Sequence, residues 1–420
     1  MGLFQAALPA LVADIERLVR TESPSADLAA VANSAEAVAA LGAEHLGTEP
    51  ELLVLEGRSH LRWRLGDGPR RVLLLGHHDT VWPLGSLATH PFEVRDGVLR
   101  GPGCFDMKAG LVMAFHALAA AGVPDGVTLL VTGDEELGSP SSRELIESEA
   151  AGCDAALVLE AAADGGALKT ARKGVSLYEV RVHGRAAHAG LEPERGVNAT
   201  VESAHQILAV AALADAEAGT TVTPTVLAAG TTGNTVADTG RFTADVRVRD
   251  AAEQARVDTA IRALRPVVEG ASIDVAGGPN RPPLSHDASA ALYRRARHLA
   301  DRLGIGPLTA AAVGGASDGN FTAGIGTPTL DGLGAVGGGA HADHEHVLVA
   351  ELPGRTALLA ALIDDVAAAE PQHGHNARER RTAQPTKTTR TTRTTRTTRT
   401  TQTTQTTQTT QTTATGGSPR

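Results

Sequence analysis

Hydrophobic and polar positions along the chain fall into two alternating rhythms. Over residues 3–20, 26–46 and 107–121 the apolar residues recur every three to four positions, as Leu11, Ile15, Leu18 and Val19 do, and predict helices with one buried face. Between them lie short apolar blocks at 51–55, 60–65, 71–77 and 127–132 that predict strands. The run Val72-Leu73-Leu74-Leu75 has no polar alternation at all, as expected of a strand buried on both faces of a sheet covered by helices. A helix near 141–150 and the apolar strand Ala155 to Leu159 continue the series. The alternation predicts an α/β layer with a mixed, mostly parallel sheet.

The rhythm changes between Val175 and Gly277. A strand at 175–182 is followed by a helix at 197–213, strands at 221–228 and 241–248, a helix at 252–268 and a strand at 271–276. That order, β-α-β-β-α-β, is the split unit of a ferredoxin-like sandwich. After Pro282-Pro283 the first rhythm returns with a helix at 288–303, a strand near 327–330 and a helix at 350–369. The simplest architecture is an α/β domain built from residues 1–174 and 283–370 and interrupted by an inserted ferredoxin-like domain at 175–282, because insertion at a surface loop is well tolerated.

Composition sharpens this picture. A chain of 420 residues, 42% hydrophobic, has enough material for two cores. The net charge of −10 hides two opposite parts: residues 371–420 carry nine Lys and Arg against one Glu, or +8, which leaves −18 for the first 370 residues. An acidic body argues against nucleic acid as a partner. The tail repeats Thr-Thr-Arg and then Thr-Thr-Gln from Thr388 to about Thr413 with nothing apolar to pack, so it is expected to be disordered. Asp14, Glu16 and two arginines interrupt the first twenty residues, which therefore read as an amphipathic helix and not as a signal peptide or membrane span. Two cysteines, Cys104 and Cys153, cannot build a disulfide framework, and a reduced, cytoplasmic setting is the expectation.

Candidate chemistry gathers at strand ends. Val72–Leu75 runs into Gly76-His77-His78-Asp79, where His77 and Asp79 project to the same side of extended chain, so that a carboxylate can orient an imidazole for metal binding. Asp106 follows Gly101-Pro102-Gly103-Cys104-Phe105, Glu136 ends Asp134-Glu135-Glu136, Glu160 closes Leu157-Val158-Leu159, and His341 follows Gly338-Gly339-Ala340. Zinc needs imidazole and carboxylate ligands converging from separate segments, and five such residues at strand ends or in the loops after them suit it. Each has a plainer reading: Asp106 as a helix N-cap, Asp134 to Glu136 as a solvated turn, His341 as part of a polar loop with His344 and His346. Glu160 resists one, since a carboxylate ending so apolar a strand needs a partner. Gly332-Leu333-Gly334-Ala335-Val336-Gly337 matches a dinucleotide fingerprint but runs into Gly338-Gly339-Ala340-His341, which is a poor helix start.

Taken in order, His77-x-Asp79-Thr80-Val81, Gly101-Pro102-Gly103-x-x-Asp106-Met107-Lys108, Asp134-Glu135-Glu136-x-Gly138-Ser139 and Gly184-Arg185-Ala186-Ala187-His188-Ala189-Gly190 resemble the glutamate carboxypeptidase, acetylornithine deacetylase and aminoacylase family of dizinc amidohydrolases over residues 5–370. The resemblance implies a zinc-peptidase-like catalytic domain in which Asp106 bridges two zinc ions per subunit, His77 and Glu160 complete one site, and Glu136 and His341 complete the other. Cobalt or manganese would suit the same donors. It further implies Glu135 as general base, Asp79 as the group that orients His77, a cis peptide bond between Asp106 and Met107, and His188 as a histidine that reaches the active site of a dimer partner and steadies the developing oxyanion. The inserted domain would then be both lid and dimer interface.

The glutamate carboxypeptidase branch is matched further by Asn234 in Gly233-Asn234-Thr235-Val236, Arg247 in Ala244-Asp245-Val246-Arg247, Arg281 before Pro282-Pro283, and Gly315-Ala316-Ser317-Asp318-Gly319-Asn320-Phe321. Arginine is suited to clamp a substrate carboxylate with two parallel hydrogen bonds. Two departures stand out: His78 puts a rival imidazole beside His77, and Ala161 replaces the proline usual after Glu160, with the following lysine displaced to Lys169 or Lys173. The expected activity is cleavage of an amide or peptide bond in a small peptide or N-acyl amino acid, foremost as a carboxypeptidase releasing a C-terminal, glutamate-like residue. The rivals are an N-acyl amino acid deacylase and, from another class, a non-catalytic metal-binding scaffold.

Overall fold

Every residue from Val72 to His77 is buried, and the reason is visible in which neighbours each one meets. Val72 and Leu74 pack with Leu11, Ile15, Trp63, Phe115 and Ile363, whereas Leu73 and Leu75 pack with Leu130, Ile146 and Phe321 on the opposite face. Successive side chains of a strand point to opposite faces, so an unbroken apolar run serves two cores at once.

In the computed structural model, which describes residues 1–369, this strand is β3 (Val72–His77) of a six-stranded sheet. Its companions are β1 (Glu51–Leu55), β2 (Arg58–Leu65), β4 (Val127–Thr132), β5 (Ala155–Val158) and a two-residue strand at Thr329–Leu330. The order across the sheet is β1-β2-β4-β3-β5 followed by 329–330. β3 runs parallel to β4 and β5, and 329–330 parallel to β5, while β1 with β2 and β2 with β4 are antiparallel. The α/β fold with a mixed sheet is as the pattern predicts.

Three helices that pack around this sheet matter below. They are α1 (Leu8–Val19), α2 (Leu28–Leu46) and α3 (Ala109–Ala120). Asp27 caps α2 by accepting from the amides of Ala29 and Ala30, and Gly47 ends it with a left-handed φ of 69°. Gly110 lets the first turn of α3 approach the end of β5, since a Cβ there would stand 2.2 Å from the Leu159 carbonyl oxygen.

The second rhythm forms a four-stranded antiparallel sheet. Its strands are β6 (Gly174–His183), β7 (Thr221–Ala229), β8 (Thr239–Val248) and β9 (Ser272–Arg281), in the order β7-β8-β6-β9. Helices at Ala199–Ala211 and Ala251–Arg262 lie between β6 and β7 and between β8 and β9 in the chain. Tyr178, Val180, Phe242, Val246, Val257 and Ile261 form a core of their own, separate from that of the larger sheet.

Several elements differ from expectation. The N-terminal helix is two, Gly2–Ala6 and α1, because Pro9 suits a helix start better than an interior. The helix expected at 252–268 ends at Arg262, ahead of Pro266, which disfavours helical backbone in the residue before it. β9 runs on to Arg281 although Gly277, Gly278 and Pro279 read as breakers, because it pairs with β6 as far as Val175 through one register shift. Short strands at Glu93–Arg95, Val98–Arg100, Leu168–Arg172 and Ala310–Val313 were not expected at all. The glycines at 332–337 open no helix, so the dinucleotide pattern is without its structural context. The tail at 371–420, expected to be disordered, lies outside the described residues. No helix among the described residues is long and apolar enough to cross a membrane.

Candidate active site

The carboxyl ends of β3, β4 and β5 lie side by side, so the loops that leave them must converge. β3 delivers His77, the turn after β4 delivers Glu135 and Glu136, and the segment after β5 delivers Glu160. Asp106 comes from the turn before α3, where the Asp106–Met107 peptide bond is cis. It does not cap that helix: the N-cap position is Lys108, and the Asp106 carboxylate faces histidines instead.

His77 Nε2 stands 3.3 Å from Asp106 Oδ1 and 3.5 Å from Glu160 Oε1. On the other side, His341 Nε2 stands 3.4 Å from Asp106 Oδ2 and 3.1 Å from Glu136. The two oxygens of Asp106 thus face two different histidines. Two groups of three donors, His77 with Asp106 and Glu136 and His77 with Glu135 and Glu160, have their ligand atoms within 4.8 Å of one another.

The donor set fits a metal. His77 Nε2 and Asp106 Oδ1 are buried and make no hydrogen bond among the described residues, an arrangement that is costly unless something else is to be bound there. The electrostatics agree. Hydrogen bonds to Asp106 and Glu136 raise the His341 imidazole to about 10, and burial opposes this without prevailing. Burial also works against a charged His77, yet Asp106, Asp79 and Glu160 lift its pKa well above the usual value. For Asp106 the burial penalty is outweighed by His341 and His77, which hold it well below the usual carboxylate range. A cluster whose carboxylates draw protons onto both imidazoles is a cluster with room for more positive charge.

Positioning groups surround these donors. His77 Nδ1 lies 2.9 Å from the main-chain carbonyl of Asp79 and 3.5 Å from its carboxylate, so the backbone oxygen is the nearer partner. The Asp79 carboxylate is occupied in accepting the amides of Glu135 and Glu136 at 3.2 and 3.3 Å, which ties the β3 end to the β4 turn. Glu160 finds its partners in His77, Arg172 at 3.3 Å and Lys169 at 3.9 Å. Of the two candidate lysines, Lys173 instead donates to the Gly219 carbonyl. His78 falls outside both donor groups: its Nε2 lies 3.0 Å from the Ser59 carbonyl, and burial pushes it down to about 4.

Glu135 is buried, and burial raises its pKa well above the usual value while Arg281 works the other way. Arg281, expected to clamp a substrate carboxylate, is itself buried. From Nη2 it donates to Glu135 Oε1, Ser139 Oγ and Asp318 Oδ1, each at 2.9 Å. Arg247 is likewise engaged, in an ion pair with Asp245 two residues away at 2.7 Å. His188 and Asn234 are exposed neighbours at a separate two-stranded pairing of Ala187–His188 with Thr235–Val236, where the Ala189 amide donates to the Asn234 carbonyl at 2.9 Å. Neither contacts the ligand cluster.

Glu345 was not foreseen. Its carboxylate accepts from the amides of Gly103, Phe105 and Asp106 and from Trp82 Nε1, and so holds the whole Asp106 turn. The available signal was its position in the run His341 to His346, where the histidines drew attention away from the carboxylate. Arg172 was likewise not singled out, and Asp318 was named only within its motif, without a partner.

The family model "Peptidase family M20/M25/M40" matches residues 73–365, a span that starts within β3 and includes every candidate ligand named above. The chain belongs to that family. Carboxypeptidase G2 of Pseudomonas sp. (strain RS-16) is 32% identical over 393 residues, covering 87% of this chain and 92% of that one. An acetylornithine deacetylase of Proteus mirabilis is 31% identical over 47% of this chain and 54% of its own. Among solved structures, an M20 family metallo-carboxypeptidase from Sulfolobus solfataricus has a TM-score of 0.68 at 14% identity, covering 86% of this chain and 99% of its own. Aminopeptidase PepT from Bacillus cereus has a TM-score of 0.66 at 23% identity with the same coverage, and both show the shared fold. Family membership together with the convergent ligand groups makes the chain a zinc-dependent hydrolase.

Proposed function

We propose that the chain is a dizinc carboxypeptidase that releases a C-terminal, glutamate-like amino acid from a small peptide or N-acyl substrate. The observation that carries the metal assignment is Asp106, with one oxygen toward His77 and the other toward His341. His77, Asp106 and Glu160 would hold one zinc ion, and Asp106, Glu136 and His341 the other. When bound, such ions lower the pKa of a shared water toward about 7 and polarise a carbonyl. Glu135 takes the water's proton and returns it to the leaving nitrogen. The burial that lifts its pKa brings it nearer to the working pH, where a general base is most effective.

The similarity to carboxypeptidase G2 supports a substrate with a free carboxylate. Arg281 suits that carboxylate because its buried Nε has no hydrogen bond among the described residues. Arg247 must leave Asp245 to take part. Residues 175–282 we read as a ferredoxin-like lid and dimerisation domain set into a catalytic domain of residues 1–174 and 283–370. Exposed Leu191, Leu208, Val226 and Leu227 on that layer support a homodimer, through which His188 and Asn234 reach the oxyanion of the facing subunit. Cys104 and Cys153 are buried and unpaired, in keeping with a reducing, cytoplasmic setting.

The second reading is a deacylase of N-acyl amino acids, favoured by the neutralisation of Arg247 by Asp245. Initial rates on matched N-acyl glutamate, N-acyl ornithine, N-acyl leucine and dipeptide substrates separate the two. Chelator-sensitive preference for the acidic substrate is expected. Preference for ornithine or leucine overturns the carboxypeptidase assignment in favour of the deacylase.

A further inference from the structure

A second convergence of metal-ligating side chains lies outside the active site. Asp14 on α1, His45 in the last turn of α2 and His116 on α3 have ligand atoms within 4.8 Å of one another. His45 Nε2 and His116 Nε2 each stand 2.8 Å from the same atom, Asp14 Oδ2. The two rings are 4.3 Å apart, and His45 lies parallel to the Phe115 ring at 6.5 Å.

The setting is unusual for an ordinary surface contact. α3 is buried from Ala109 to Leu118, and His116 is the one ionisable side chain in that stretch. An imidazole among Leu111, Val112, Met113, Phe115 and Leu118 is costly without polar partners, and its partners come from two other helices. The side chains of Asp14 and His45 are 15% and 22% exposed, so the cluster has a side open to solvent.

Two imidazole nitrogens and one carboxylate oxygen with an open side are the donors of a zinc-class ion. Calcium and magnesium take oxygen ligands instead. Tetrahedral donors at roughly 2.0–2.1 Å from zinc stand about 3.3 Å apart. The present contacts would have to open by about half an ångström, which small side-chain rotations supply.

We propose that Asp14, His45 and His116 form a peripheral site for a zinc-class divalent cation that ties α1, α2 and α3 together. An ion bound to the folded chain alone stabilises it, so the site also couples metal to the stability of the N-terminal helices. Its function is structural, and turnover at saturating metal does not depend on it.

The test uses the full chain. Bound zinc is measured by mass spectrometry after equilibration at a fixed free zinc concentration, for wild type, His45→Gln and Asp14→Asn. The expected result is one fewer zinc ion per chain in each variant, a smaller rise in Tm on adding zinc, and unchanged turnover. Equal zinc content in wild type and folded His45→Gln overturns the proposal. His116→Gln is buried enough to misfold, and His45→Gln, at the partly exposed end of α2, decides the matter without it.

Discussion

Arg281 and Glu135 form a buried ion pair, Nη2 to Oε1 at 2.9 Å, and Glu135 also belongs to one of the donor groups around His77. The same guanidinium also neutralises Asp318, so one cation from the end of β9 holds two carboxylates from the larger sheet layer. The group proposed to move the proton is therefore positioned by the last residue of β9, a strand of the smaller sheet.

Arg281→Met leaves Glu135 and Asp318 buried without that cation. Breaking such a pair costs about 3–5 kcal/mol, so a clear fall in the denaturation midpoint is expected. Arg281→Lys keeps the charge and loses less. Equal midpoints for Arg281→Met and wild type would sink the positioning role.

Glu135→Gln removes the proposed base and keeps the side chain's size. Turnover should drop by about 10²–10⁴-fold with the zinc content unchanged. Rates and metal content measured on one preparation decide it, since loss of both together points to a ligand and not to a base.

Metal removal should act on stability as well as on rate. Without the ions, Glu136 sits beside Asp106 and Glu135 beside Glu160, and His77, His341 and Arg281 are the charges left to offset that repulsion. A chelator should abolish hydrolysis and lower Tm, and added zinc should restore both. A Tm indifferent to chelation contradicts the charge argument.

Glu345→Gln replaces an acceptor of four N–H groups with one that can accept at a single oxygen. Because Glu345 fixes the Asp106 turn, zinc affinity should weaken by about 10–100-fold, the range seen when groups supporting metal ligands are removed. Competition against a zinc-binding dye reads this directly, and an unchanged dissociation constant would refute it.

His78 gives a pH signature. Burial lowers it to about 4 from the 6.5 it has in an unfolded chain. Between those values the unfolded chain binds the proton first, so the contribution of His78 is complete above pH 6.5 and is lost as pH falls toward 4. The slope is at most about 1.4 kcal/mol per pH unit. His78→Gln should show a shallower loss of stability over that window, and parallel curves would rule the account out.

The chain's local pattern settled much of this. The unbroken run Val72–Leu75, the helical spacing of Leu11, Ile15, Leu18 and Val19, and the switch of rhythm at Val175 follow from burial and side-chain direction, which act over a few residues and leave their mark in order along the chain. His77, Asp106, Glu136, Glu160 and His341 could be picked out as candidates because strand ends in a parallel sheet converge and each of these side chains carries its own donor chemistry. What the sequence could not carry is partnership at a distance. Arg172, Asp318 and Glu345 matter through contacts with residues 12, 37 and 239 or more positions away. That Arg281 also pairs with Glu135 and Asp318 shows only once β9 is seen to continue through Gly277, Gly278 and Pro279 on its pairing with β6. Strands as short as Glu93–Arg95 have no period of their own, and exist because a neighbour supplies their hydrogen bonds. Local propensity is a property of neighbours in the chain, whereas the partner of a buried charge is chosen only when distant segments pack, and only the tertiary structure decides that.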